Sequence, residues 1–246
     1  MKVILSFFFF FELLVLSAFS QSGDHIKGGE FSKNIEYNLL RLGDGYNFNS
    51  KGDVEKLLFG NFNAHVEFFY EPSFEGASGF RIVRDKLKKS YFLEIKYVSN
   101  FEEAKFKASK KYPMRSVSSF DAPKDTVDKI RKQNQENIEK YFVEMKKLFK
   151  IESRTFSISN QFAEKMHKTM VTIIDTFKAR GVPPTIFDGY SVTFRNVVGD
   201  EVWSLRIHIP TGKALKFADF CRKIIDDTLT TGKLDESNYI KSLYEF

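Results

Sequence analysis

The sequence lacks most of what a catalytic or metal-binding motif requires. Its single cysteine, Cys221, excludes an intramolecular disulfide and any zinc site of the CxxC type. The four histidines are far apart, and there is no HxxxH spacing, P-loop, GxGxxG fingerprint or GxSxG elbow. We therefore predict no cofactor and no metal. Cys221 falls on the apolar side of a predicted helix and is predicted to be a buried small hydrophobic residue.

A strong excess of one charge is also missing. The formal net charge is +6 over 246 residues, and Lys and Arg alternate with Asp and Glu along most of the chain. Such a mixture creates no long-range field, so nucleic acid is not an expected partner. The 42% of hydrophobic and 28% of charged residues are typical of a globular protein.

Long apolar runs are confined to the first twenty residues, which read MKVILSFFFFFELLVLSAFS. Lys2 precedes an apolar core, and the small residues Ala18 and Ser20 occupy the −3 and −1 positions before Gln21. This pattern predicts a cleaved signal peptide over residues 1–20. Glu12 interrupts the apolar core, and the alternative is an uncleaved membrane anchor. After cleavage we expect no transmembrane anchor, because no other run approaches the roughly 20 apolar residues that span a bilayer.

The signal segment resembles that of a Gram-negative envelope protein. The resemblance implies the periplasm or the cell surface and carries no activity with it. No functional family is identified from the rest of the sequence.

Alternation of apolar and polar residues over 190–209 predicts a β-hairpin. Gly199 and Asp200 form the predicted two-residue turn, because glycine adopts positive φ without steric cost. This turn sets a register in which Phe194 faces Leu205, with apolar pairs on either side. Turn chemistry and side-chain pattern thus predict the same hairpin.

Further strands and several amphipathic helices are predicted outside the hairpin. Three strands between residues 65 and 98, joined by short connections, favour an antiparallel meander. We therefore predict an α+β fold in which an antiparallel β-sheet carries amphipathic helices on one face. Two arrangements fit the pattern. The first has an N-terminal α+β lobe (21–112) and a C-terminal helix-helix-hairpin-helix lobe (113–246), and the second is one continuous domain. The predicted helices span residues 34–42, 53–59, 101–111, 125–150, 160–180 and 213–229, with one more helical turn near 239–243, and a further strand spans 155–158.

The polar face of the hairpin carries Arg195, Arg206 and His208. We interpret this face as solvated, and the alternative is a basic face that binds a ligand.

One arrangement suggests an enzyme. Glu94 and Lys96 lie two residues apart on a predicted strand and point to the same face. With Asp85 they could hold a divalent cation and activate water for phosphodiester cleavage. These three residues resemble the D…ExK arrangement of restriction-endonuclease-like nucleases, and the resemblance implies a metal-dependent nuclease.

An export signal, a full-sized core and the lack of catalytic motifs favour a non-catalytic binding protein of the cell envelope. Its expected partner is another envelope or secreted protein, and an immunity or inhibitor protein is a special case. The alternative is a hydrolase with an unrecognised carboxylate site, such as a nuclease using Glu94 and Lys96. Buried carboxylates grouped in a cleft around Glu94 would favour the hydrolase. A face lined by exposed aromatic residues would favour the binding protein.

Overall fold

A computed structural model describes residues 31–37, 52–60, 62–85, 87–116, 123–178, 188–199 and 201–246. The predicted signal peptide lies outside these residues. The strands are β1 Phe31–Tyr37, β2 Val66–Pro72, β3 Ser78–Asp85, β4 Ser90–Val98, β5 Ile151–Ile158, β6 Tyr190–Val198 and β7 Glu201–His208. The helices are α1 Asp53–Phe59, α2 Phe101–Lys111, α3 Lys124–Leu148, α4 Asn160–Thr176, α5 Gly212–Thr231 and α6 Glu236–Ser242, followed by a 3₁₀ turn over Leu243–Glu245.

The strands of the described residues form one antiparallel sheet in the order β1-β7-β6-β2-β3-β4-β5. The predicted hairpin is confirmed as β6 and β7, with Phe194 opposite Leu205 and Gly199 at a φ of +61°. The predicted meander is confirmed as β2, β3 and β4. Strand β2 also pairs with β6, so strands from both predicted lobes belong to one sheet. The division at residue 113 stays a prediction.

The first face of the sheet is apolar and carries the main core. Helices α4 and α5 cover it, because each presents a stripe of apolar residues at helical spacing, and α6 adds the buried ring of Tyr239. Cys221 on α5 is buried in this core, as predicted, and burial raises the pKa of its thiol well above the ordinary value. The predicted α+β class, with amphipathic helices packed on a face of an antiparallel sheet, is confirmed. Residues that define the first face are Val66, Phe68, Phe80, Leu93, Phe194 and Leu205.

The second face carries the short helix α1, which adds a layer to the predicted arrangement. Leu58 and Phe59 on α1 pack with Phe69 of β2. Phe59 lies directly over Gly79, where an added Cβ would stand 2.9 Å from the ring. Glycine at this position therefore lets α1 approach the sheet. Residues that define the second face are Glu67, Phe69, Glu71, Arg81, Glu94, Arg195, Arg206 and His208, which alternate along their strands with those of the first face.

The predicted helix over residues 34–42 is wrong for residues 34–37. These residues belong to β1, which pairs with β7 in a register that places the Cα atom of Ile35 opposite that of Trp203. Residues 38–42 lie outside the described part of the chain. The available edge of β7 satisfies backbone hydrogen bonds that a short isolated helix satisfies poorly, so tertiary pairing overrides the local pattern.

None of the helices within the described ranges combines the length and the apolar character needed to cross a membrane.

Candidate binding cleft

A buried ion triad fixes α1 on the second face of the sheet. Arg195 of β6 donates from Nη1 to Glu55 of α1 and to Oε1 of Glu67 on β2, the latter at 2.5 Å. All three side chains are at most 2% exposed. Burial lowers the pKa of Arg195, but Glu55 and Glu67 together raise it by a larger amount. The pKa of Arg195 therefore lies above its ordinary value. The guanidinium is therefore charged in the interior.

A second cation holds the other end of α1. The guanidinium of Arg81 donates to the carbonyl oxygen of Phe59 at 3.4 Å, at the C-terminus of the helix. It also donates to Glu94 on the neighbouring strand. A positive group at a helix C-terminus is favourable, because the unsatisfied carbonyls there carry partial negative charge. The two arginines thus determine where α1 lies on the sheet.

The residues of the nuclease hypothesis lie on the second face but do not converge. Glu94 and Lys96 share a face, as predicted, with the ammonium 3.4 Å from the carboxylate. Glu94 also binds Arg81. Asp85 accepts the backbone N–H groups of the β3–β4 turn at 2.9 and 3.1 Å. Asp85 pairs with the first residue of β4, Ser90, four residues and roughly 13 Å along the strand from Glu94. The hypothesis of a nuclease stays a prediction.

Next to α1, the second face opens into a cleft of about 560 Å³. Its floor is the sheet, which contributes polar side chains from β2, β6 and β7, including Glu71, Ser191, Arg206 and His208. Its opposite wall comes from α2, α3 and the loop after β2 and is chiefly apolar, although Ser73, Glu75 and Lys146 also line it. The apolar lining consists chiefly of Phe74, Phe101, Phe142, Met145 and Phe149. The cleft is therefore mainly polar on the sheet side and mainly apolar on the opposite side.

An ion pair and a hydrogen bond organise the polar floor. Arg206 donates from Nη2 to Oε2 of Glu71 at 2.8 Å. The imidazole Nδ1 of His208 lies 3.2 Å from the hydroxyl of Ser191. The interpretation of the polar hairpin face as solvated is wrong for Arg195, which is buried under α1. Arg206 and His208 instead line the cleft, where a ligand can reach them.

Two aromatic side chains lie exposed at the mouth of the cleft. Phe74 in the loop after β2 is 61% exposed, and Phe142 on α3 is 47% exposed. Lys146 on α3 reaches across to Asp53 at the start of α1, with a distance of 2.8 Å, and this pair lowers the pKa of Asp53. An ion pair thus joins α3 to α1 beside the cleft, and exposed aromatic side chains surround its entrance.

A second cluster of titratable residues lies away from the cleft, where α4 meets the sheet. The rings of His65 and His167 stack with centroids 4.1 Å apart and an interplanar angle of 8°. Tyr91 donates to Glu164 at 2.8 Å, and the same carboxylate oxygen lies 3.8 Å from Nε2 of His65. Nearly parallel imidazoles hold their ring nitrogens in separate planes, so the two rings do not converge on one ion. No group of three potential metal ligands occurs among the residues that the structure describes.

Sequence patterns could have revealed part of this arrangement. Glu67, Phe69 and Glu71 are every second residue of β2 and therefore share one face of the strand. A phenylalanine between two glutamates indicates that this face is partly covered. Nothing local indicates that Arg195 is the partner of Glu67. The stack of His65 on His167 was missed because the two residues are distant in sequence and belong to different elements.

No family model, no curated protein and no solved structure matches this chain.

Proposed function

We propose that the chain is an exported, non-catalytic binding protein of the cell envelope, and that a protein partner inserts a side chain into the cleft. The supporting observation is the pair of exposed phenylalanines, Phe74 and Phe142, at the mouth of an apolar-walled cavity. Exposed aromatic groups beside a pocket are characteristic of interface hot spots. The cavity volume of about 560 Å³ lies within the usual range for binding pockets.

The lining suggests the chemistry of the inserted group. An apolar stem would pack between Phe142 and Phe149 on the helical wall, while a polar end would reach the pair of Arg206 and Glu71 on the floor. This pair presents both a cation and an anion, so the partner group can donate to Glu71 or accept from Arg206. A preformed cleft of this kind suits an immunity or inhibitor protein that recognises one exported toxin, because a preorganised site loses little entropy on binding.

Site-specific photo-crosslinking tests the proposed surface. A photoreactive phenylalanine analogue is introduced at position 74, 142 or 106 of the full chain, and envelope extracts are irradiated. Phe106 on α2 is the matched control, because it is 58% exposed and does not line the cleft. We expect positions 74 and 142 to give the same adduct and position 106 to give none.

The captured partner is then purified and titrated against variants. Phe74→Ser should weaken binding by tenfold or more, whereas Phe106→Ser should leave the Kd unchanged, because truncating a hot-spot aromatic costs about 1–2 kcal/mol or more. Equal adducts at all three positions, or no effect of Phe74→Ser on the Kd, would refute the proposed surface.

Export has its own test, the N-terminal residue of the protein recovered from separated cell fractions. We expect Gln21 at the N-terminus in a soluble envelope fraction. Intact Met1 in the membrane fraction would show that residues 1–20 are an uncleaved anchor. Intact Met1 in the cytosol would contradict export.

A further inference from the structure

Strand β5 has an edge that is suited to pairing with another strand. It closes the described sheet, with β4 on one side and no described strand on the other. Its eight residues, IESRTFSI, contain no proline, lysine or glycine. Proline and lysine, which commonly protect edge strands from association, are therefore absent, and the two charged residues of the strand, Glu152 and Arg154, have opposite signs. The side chains of Ser153, Thr155 and Ser157 are exposed.

The backbone pattern of the sheet identifies the groups that point outward. Ser99 donates its N–H to the carbonyl of Lys150 at 3.0 Å, in the register of the β4–β5 pair. Hydrogen-bonded and non-hydrogen-bonded pairs alternate along an antiparallel ladder. The even-numbered residues of β5 therefore bond to β4, and the backbone groups of residues 151, 153, 155 and 157 point away from the sheet.

We propose that the partner of this edge is a second copy of the chain, and that the two β5 strands pair antiparallel about a two-fold axis at Ser153. In this register Ser153 pairs with the partner's Ser153, and Ile151 pairs with the partner's Thr155. These pairs use the outward groups and form about six backbone hydrogen bonds. The two sheets then continue into each other across the axis.

Charge complementarity selects this register. Glu152 faces the partner's Arg154, and Arg154 faces the partner's Glu152. Both pairs occupy non-hydrogen-bonded positions, where Cα atoms approach to about 4.5 Å and side chains interact most closely. Sliding one strand by two residues, the smallest step that preserves the hydrogen bonds, places Glu152 opposite its own copy or Arg154 opposite its own copy. Larger shifts separate Glu152 from the partner's Arg154, and the shift that would bring Glu152 opposite the partner's Lys150 leaves only residue 151 of each strand inside the paired stretch.

The two side chains are already oriented within each protomer. Arg154 donates from Nη1 to the carbonyl of Leu229 at 3.0 Å, and Glu152 accepts from the hydroxyl of Tyr97 at 2.7 Å. A guanidinium has five donor hydrogens and a carboxylate has two oxygens, so each group retains capacity for a partner across the edge.

A charge-swap series tests the pairing by sedimentation of the mature chain at high micromolar concentration. The wild type should be dimeric. Glu152→Arg and Arg154→Glu should each raise the dimer dissociation constant by about tenfold or more, because two attractive pairs become repulsive. The double variant should restore the dimer, and mixing the two single variants should give a heterodimer. Glu139→Arg and Lys132→Glu, at exposed positions on α3, are the matched controls and should remain dimeric.

Cysteine substitution locates the axis. Ser153→Cys should form a disulfide-linked dimer under mild oxidation, because the paired Cα atoms would lie about 5.5 Å apart, within disulfide reach. Thr155→Cys should not crosslink, since its two copies would be separated by four residues along the strand. The natural Cys221 does not compete, because it is 0% exposed.

A monomeric wild type would overturn the proposal. A dimer that both single swaps leave intact, or equal crosslinking at positions 153 and 155, would also overturn it. Heterodimer formation from the two single variants would show at the same time that both variants fold and that the predicted charge pairs meet.

Discussion

The two faces of the sheet are stabilised by different interactions. The first face forms a continuous apolar core with α4, α5 and α6. Among the described residues the second face has smaller apolar clusters, one under α1 and one around Phe62 and Val202, and its central contact is the buried triad around Arg195. Apolar burial is nondirectional and depends on area, whereas buried charges stabilise only when each has its partner. The first face therefore maintains the fold, and the second face determines where α1 lies and where the cleft remains open.

The largest expected effect comes from a charge in the first-face core. Leu205→Asp should cost about 5 kcal/mol or more and leave the protein unfolded, because an unpaired carboxylate would enter the apolar core. The matched control is Leu87→Asp at a side chain that is 96% exposed, which should change the free energy of unfolding by less than about 0.5 kcal/mol. Urea unfolding followed by circular dichroism measures both. Wild-type stability in Leu205→Asp would show that the hairpin register is wrong.

An intermediate effect is expected from the triad of the second face. Arg195→Met should destabilise the protein by about 3–5 kcal/mol, because Glu55 and Glu67 would remain buried without their cation. Replacing both glutamates by leucine in the same variant should recover most of this loss, since a buried ion network and an apolar cluster of similar volume are often close in stability. Hydrogen exchange of the α1 amides should increase in Arg195→Met and fall again in the triple variant. Equal destabilisation of the two variants would contradict a charge-specific role for Arg195.

The smallest effect concerns pH at the edge of the first face. Burial lowers the pKa of His65 to about 4, aided by His167 and Arg84 and opposed by Glu164, while Tyr91 packs on the same ring. Between about pH 4 and the ordinary pKa of 6.5, the imidazole of His65 binds a proton in the unfolded chain but not in the folded chain. This contribution should be fully present above pH 6.5 and be lost as the pH falls towards 4, by clearly less than the roughly 3 kcal/mol of the full shift, because solvent screens a partly exposed ring.

His65→Phe keeps an aromatic ring in the stack and should remove this part of the pH dependence, measured as Tm from pH 7.5 to 4. His208→Phe, in the cleft and outside the stack, is the control and should retain the contribution of His65. An unchanged slope in His65→Phe would assign the acid sensitivity to other groups.

Much of the architecture could be predicted because it depends on near neighbours in sequence. The hairpin of β6 and β7 follows from alternation and from Gly199, and α2 over Phe101–Lys111 has the predicted limits. The strand over residues 31–37 could not be predicted, because its conformation depends on pairing with β7. The hairpin pattern placed Arg195 with Arg206 on one face, but did not show that α1 would cover only one of them.

The α+β class, the register of the hairpin and the burial of Cys221 were determined by the sequence alone, because periodicity and turn chemistry act over a few residues. The triad, the cleft and the stacked histidines were decided only by the tertiary structure. Arg195 is separated from Glu55 by 140 residues and from Glu67 by 128. No local pattern encodes such partners, because they meet only when β2 pairs with β6 and α1 is placed across both strands.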